Sequence, residues 1–80
     1  MRVRVRYFAS FRDMTGKTEE WVEVQEGTTV EGIRDHVRGL HEKIARKEQV
    51  LVAVNGTFTP LDKVIEEGDE VAFFPPVSGG

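Results

Sequence analysis

Apolar residues recur at every second position near both ends of the chain and at every third or fourth position in its middle. This change of period limits the folds open to it. Near the start, Val3, Val5 and Tyr7 alternate with Arg2, Arg4 and Arg6; near the end, Val71 and Phe73 alternate with Glu70, Ala72 and Phe74. Side chains along a strand point to opposite faces in turn, so both segments read as strands with one apolar face. Between them Val30, Ile33, Val37, Leu40 and Ile44 follow at helical spacing as a single stripe. Thr28-x-x-Glu31 predicts a capping box at the helix start, with the Thr hydroxyl accepting from the third helical N–H and Glu31 reaching back. The helix ends between Gly39 and Arg46, and Gly32 and Gly39 either weaken it or let it pack closely on a sheet.

The remaining segments are shorter. Phe11, Met14 and the pair Arg12-Asp13 predict one or two helical turns over 9–15, ended by Gly16. Trp21, Val22 and Val24 among glutamates predict a second strand over 18–25, at a sheet edge and hairpinned to the first; on which side Trp21 packs is left open. Residues 50–54 form a continuous apolar run, the pattern of a strand that is central or covered on both faces. Asn55-Gly56 is a strong hairpin turn, followed by a short return strand over 57–61 limited by Pro60. Val64 and Ile65 are expected to pack inward from the next connection. The order strand, strand, helix, strand, short strand, strand predicts an α+β fold, with about five strands in a mixed sheet and one main helix on one face. That is the order of the ubiquitin-like β-grasp, whose first and last strands lie parallel at the centre. Residues 1–74 would form this domain and 75–80 an extended tail.

Composition narrows the chemistry. Eighty residues hold one small core and leave no second domain to close over a substrate. The chain has no cysteine, which excludes disulfides, thiolate nucleophiles and Cys-based zinc sites. A net charge of −3 argues against nucleic-acid binding, although Arg2, Arg4 and Arg6 share one strand face. No apolar run reaches membrane-spanning length and no signal-peptide pattern opens the chain, so a cytoplasmic protein without membrane partners is expected. Thr15-Gly16-Lys17-Thr18 imitates the end of a phosphate loop, but the Gly required five positions earlier is Phe11. His36 and His41 lack a third ligand at metal spacing, so no metal site is expected.

Two features remain. Phe8 and Phe74 fall by parity on the sheet face away from the helix, at the same end of two parallel strands, and Phe58 follows the Asn55-Gly56 turn near them. An exposed apolar patch rimmed by charge marks a partner surface. The second feature is the tail Pro75-Pro76-Val77-Ser78-Gly79-Gly80, six residues with an extended reach of roughly 20 Å. Two prolines stiffen its root and two glycines leave its tip slim enough for a narrow slot. Its expected reactive group is the Gly80 carboxylate. With a free pKa of about 3.3–3.7 this group is anionic at neutral pH and resists nucleophiles. It would have to be activated first, most simply as a mixed anhydride with AMP, using ATP bound by a partner. The product could then take sulfur to give a thiocarboxylate, or an amine to give an isopeptide.

The tail Phe73-Phe74-Pro75-Pro76-Val77-Ser78-Gly79-Gly80 resembles that of the small-subunit family of molybdopterin synthase, often called MoaD. The opening strand into Tyr7-Phe8-Ala9, the segment Val52-Ala53-Val54-Asn55 and the run Gly68-Asp69-Glu70-Val71-Ala72-Phe73-Phe74 are similar to the same family. The resemblance implies that a partner similar to ubiquitin-activating enzymes adenylates Gly80, that sulfur converts it to a thiocarboxylate, and that the carrier docks on a large synthase subunit in a heterotetramer. There the tail, with Gly79, Ser78, Val77, Pro76 and Pro75, would thread into the large subunit's active site and donate sulfur to cyclic pyranopterin monophosphate. It also implies that Phe8, Phe58 and Phe74 are docking positions, that the chain binds no cofactor itself, and that the catalytic side chains belong to the large subunit. The alternatives are a sulfur carrier for thiamine or tRNA thiolation, a ubiquitin-like modifier joined to lysines through Gly80, and a β-grasp binding domain with an incidental tail.

Overall fold

Val3, Val5 and Tyr7 are fully buried while the arginines between them stay accessible, so the opening alternation does build strand β1, Arg2–Tyr7. The computed structural model describes residues 1–76; Val77, Ser78, Gly79 and Gly80 lie outside the described residues. After β1 come α1 (Ser10–Thr15), β2 (Glu19–Glu23), α2 (Val30–Leu40), α3 (Glu42–Ala45), β3 (Leu51–Val54), β4 (Thr57–Phe58) and β5 (Glu70–Phe74). The five strands form one sheet in the order β2-β1-β5-β3-β4. β1 and β5 run parallel at its centre, with Arg4 opposite Glu70 and Tyr7 opposite Phe73; the other pairs are antiparallel. This is the α+β arrangement with a mixed five-stranded sheet predicted by the change of period.

One sheet face carries the core. Tyr7, Val22, Val52, Val54, Val71 and Phe73 pack there against Val30, Ile33, Val37 and Ile44 from the helices, with Phe11 of α1 and Ile65 closing the ends. Each such side chain contributes about 1.5–3 kcal/mol by leaving water. Asn55 and Gly56 both adopt positive φ (50° and 84°), as the two-residue turn between β3 and β4 requires. Gly16 does the same at the end of α1 (φ 73°), where its N–H bonds to the Arg12 carbonyl.

Several expectations are corrected. The helix cap is Thr29, whose hydroxyl accepts from Gly32 N–H at 3.1 Å. Thr28 instead donates its hydroxyl to the Gln25 carbonyl at 2.6 Å. The capping box fails because the loop before β5 already serves the helix start: Val30 N–H bonds to the Lys63 carbonyl and Glu31 N–H to that of Leu61. The apolar stripe is also not one helix. His41 is extended (φ −129°, ψ 101°) and separates α2 from α3, so Ile44 turns inward while Leu40 is left 50% exposed. β4 has two residues rather than five. Ile65 is buried but its neighbour Val64 faces out.

The break at His41 has a tertiary cause. Its Nε2 lies 2.6 Å from Glu20 Oε2, and the same oxygen accepts the Tyr7 hydroxyl at 2.5 Å. The His41 ring meets the Tyr7 ring edge-on, with centroids 5.4 Å apart. His41 is thus a half-buried tie between the helix break and the β1–β2 hairpin, whereas His36 is an exposed surface residue.

Candidate docking site at the root of the tail

Parallel pairing of β1 with β5 brings the C-terminal ends of both strands to one end of the sheet. Phe8 N–H extends the ladder beyond β1 by bonding to the Phe73 carbonyl at 3.1 Å. Phe8 and Phe74 therefore lie side by side on the face that carries no helix. Their rings stack at 4.7 Å between centroids with planes 13° apart. Phe58 reaches the same group from β4, its ring 5.9 Å from Phe74. It stands opposite Ala53, and Leu51 stands opposite Phe74, so β3 fills the space between the two aromatic strands. Phe58 is 64% exposed. Phe8 and Phe74, expected together from parity, and Phe58, expected near them from the Asn55-Gly56 turn, are brought together, and Pro75 and Pro76 continue directly from the patch.

Charge frames it on the β1 side. The Arg6 guanidinium lies 5.1 Å from the Phe8 ring centroid and that of Arg12 lies 5.7 Å from it. Arg6 Nη1 also donates to Glu70 Oε1 at 2.8 Å, and Arg4 Nη2 donates to Glu70 Oε2 at 3.2 Å. The hydrogen bond from Arg6, then that from Arg4, hold the Glu70 carboxyl below its ordinary range although desolvation opposes them. The same bond raises Arg6. Trp21 belongs to this face as well, 53% exposed, with the Arg2 guanidinium 4.8 Å over its ring. The face is thus divided into a charged half, where Arg4 and Arg6 pair with Glu70, and an apolar half of Phe8, Phe74 and Phe58, with Arg6 and Arg12 at the Phe8 border.

Sequence reasoning missed Leu51, Arg6 and Arg12 as parts of this site. Leu51 was detectable by counting back from Val52, because alternate residues of a strand share a face. Arg6 stands two positions before Phe8 on the same face. Arg12 gave no such signal, since the path of α1 past Phe8 depends on Ala9, which adopts φ 52° and ψ −133°. This region is strained for any residue with a Cβ and costs of order 1–3 kcal/mol.

The other candidates resolve into structural roles. Thr15 to Thr18 form the turn between α1 and β2, where the Thr15 hydroxyl bonds to the Phe11 carbonyl at 2.9 Å and Lys17 Nζ bonds to Glu20 at 3.2 Å. Among the described residues no group of three His, Cys, Asp or Glu is assembled that could hold a metal ion. No helix among them is long and apolar enough to cross a membrane. What the described site offers is an apolar surface beside Pro75 and Pro76 of a shape suited to docking.

Comparison with known proteins agrees with this arrangement. The model of the ThiS family matches residues 5–80. The molybdopterin synthase sulfur carrier subunit of Haemophilus influenzae is 38% identical over 81 residues, covering 98% of this chain and 99% of its own. Among solved structures, the Pyrococcus furiosus protein assigned as molybdopterin converting factor, subunit 1, superposes with a TM-score of 0.89 at 35% identity, covering 96% of this chain and 99% of its own. The modifier protein SAMP1 from Haloferax volcanii superposes with a TM-score of 0.87 at 28% identity over the full length of both chains. With a family match over nearly the whole sequence and full-length relatives above 30% identity, the chain belongs to the ThiS family.

Proposed function

We propose that this chain is the sulfur carrier of molybdopterin synthesis, the small subunit that delivers sulfur to a large synthase subunit. The observation that carries the reading is the stacked Phe8–Phe74 pair with Phe58 beside it, at the root of Pro75-Pro76, in a chain whose full-length relatives are named as such carriers. An apolar patch at that place lets a partner hold the domain while the tail extends into its active site. In this reading Gly80 is the reacting residue. A separate adenylating enzyme joins its carboxylate to AMP and releases pyrophosphate. A sulfur donor then displaces AMP, giving the thiocarboxylate. The thiocarboxylate sulfur attacks a carbon of cyclic pyranopterin monophosphate in the large subunit and displaces an oxygen substituent there. Water then cleaves the acyl–sulfur bond, leaving the sulfur on the pterin and returning the Gly80 carboxylate, and a second loaded carrier supplies the second sulfur. Gly79 supplies clearance, and Val77 and Ser78 span the slot. ATP is used by the adenylating partner, the catalytic side chains are the large subunit's, and the reaction is cytoplasmic.

Mass spectrometry of the chain after incubation with its adenylating enzyme, ATP and a sulfur source tests the proposal. Replacement of one carboxylate oxygen by sulfur at Gly80 is expected, and its absence under conditions where AMP is released would count against the reading. Similarity to SAMP1 favours one second reading, a protein modifier conjugated through Gly80. Gly-Gly remnants on lysines of other proteins, without a thiocarboxylate on the free chain, would select it instead.

A further inference from the structure

On the side of the tail root away from the aromatic patch lies an open cleft of about 430 Å³. Pro75 and Pro76 form part of its lining, together with Phe11, Arg46 and Lys47. A second cleft of about 300 Å³ adjoins it, sharing Arg46 and Lys47 and adding Lys43. Three cations (Lys43, Arg46 and Lys47) line the two clefts against one carboxylate, Glu48, in a chain whose net charge is −3. Arg46 is bound to Glu42 at 2.7 Å, but Lys43 and Lys47 make no ion pair among the described residues. Both are exposed. The wall they stand on is fixed. Buried Ile44 anchors α3, and Arg38 Nη2 donates to the Lys47 carbonyl at 3.1 Å, holding the backbone where the cleft turns toward the tail.

We propose that this basic cleft is a second docking surface, for an acidic segment of the same protein that grips the aromatic patch and receives the tail. The inference rests on the sulfur-carrier reading and adds the chemistry of the partner's rim. Phe74 belongs to the aromatic patch and Pro75 and Pro76 to the cleft lining, so a protein that surrounds the tail root meets both surfaces. The two differ in kind. An apolar patch supplies burial and slows dissociation, whereas a cluster of unpaired cations attracts a complementary surface over distance and orients the encounter. Nucleic acid is the poorer match, because the one aromatic in the cleft, Phe11, is buried and offers no stacking platform, and the molecule as a whole is anionic.

Stopped-flow association with the purified large molybdopterin synthase subunit of the same organism tests this, comparing the wild-type chain with the double variant Lys43→Glu, Lys47→Glu at low and high salt. The variant is expected to associate about tenfold more slowly at low ionic strength. Its rate should lose most of the salt dependence of the wild type, while dissociation stays within a factor of about two. Lys43→Ala with Lys47→Ala, which removes charge without reversing it, should fall between. Phe58→Ala should show the opposite split, with faster dissociation and nearly unchanged association. Equal association rates and equal salt slopes in wild type and both lysine variants would overturn the basic dock and leave the carrier reading standing. A wild-type chain that never binds the large subunit would overturn both.

Discussion

Two aromatic pairs built on the same two strands have opposite fates. Tyr7 and Phe73 are register partners across β1 and β5, with ring centroids 6.2 Å apart on the helix-covered face, both essentially inaccessible. Phe8 and Phe74, one residue further along each strand, stack at 4.7 Å on the open face, and neither is fully covered. Backbone pairing, strand direction and residue type are nearly the same. The difference is what lies above: α2 and α3 cover the first pair, and nothing among the described residues covers the second. The inner pair holds the domain together, and in the proposed reading the outer pair is left for another protein.

The sharpest way to break this comparison is to truncate one aromatic from each pair. Phe73→Ala is expected to cost about 3–5 kcal/mol of folding stability, read from urea unfolding, because it opens a cavity in the core. Phe74→Ala should cost much less stability but about 2 kcal/mol or more of affinity for the large synthase subunit, roughly a thirtyfold rise in Kd by calorimetry. If the two substitutions destabilise the free chain equally, the open-face pair is structural and the docking role fails.

A smaller effect sharpens the account of how the outer pair is aimed. Ala9→Gly should stabilise the domain by about 1 kcal/mol in the same unfolding assay, because glycine adopts positive φ without the Cβ penalty. An unchanged or lower stability would mean that Ala9 carries no strain.

The smallest effect concerns pH and belongs to the inner side. Desolvation pushes the Glu20 carboxyl up, but hydrogen bonds from Tyr7, His41 and Lys17 outweigh it and hold the group below its ordinary range in the fold. A carboxylate depressed in this way stabilises the fold fully above its unfolded value of about 4.3 and loses that contribution as pH falls through the folded value. Thermal melts should therefore show stability dropping below about pH 4.3, and Glu20→Gln should flatten that part of the slope. An equal acid slope in both proteins would remove Glu20 from the account. The Tyr7 hydroxyl is pushed up by burial and by its bond to Glu20, so it stays protonated throughout this range.

Much of this was legible in the chain itself because it depends on parity. Alternation in 2–8 and 70–74 determines which residues face the core, and the parallel central pair then follows from strand order and the single crossing helix. Parity on two parallel neighbours therefore puts Phe8 and Phe74 side by side. What was not legible depends on contacts between distant segments. The break at His41 is held by Glu20 and Tyr7, which stand 21 and 34 positions away. The shift of the cap from Thr28 to Thr29 follows from carbonyls of Leu61 and Lys63 that local pattern does not show. No local pattern marks Lys43, Arg46 and Lys47; α3 and the residues just after it bring them to clefts beside the tail root.

The central claim is that Gly80 delivers sulfur while the rest of the domain serves as its handle. The most direct measurement is molybdopterin formation in a reconstituted mixture of adenylating enzyme, ATP, sulfur donor, large subunit and cyclic pyranopterin monophosphate, with either the full chain or one lacking Gly80. The full chain is expected to support product formation in proportion to the thiocarboxylate loaded. The truncated chain should fold, melt at the same temperature and support none. Product from the truncated chain at a comparable rate would contradict the account.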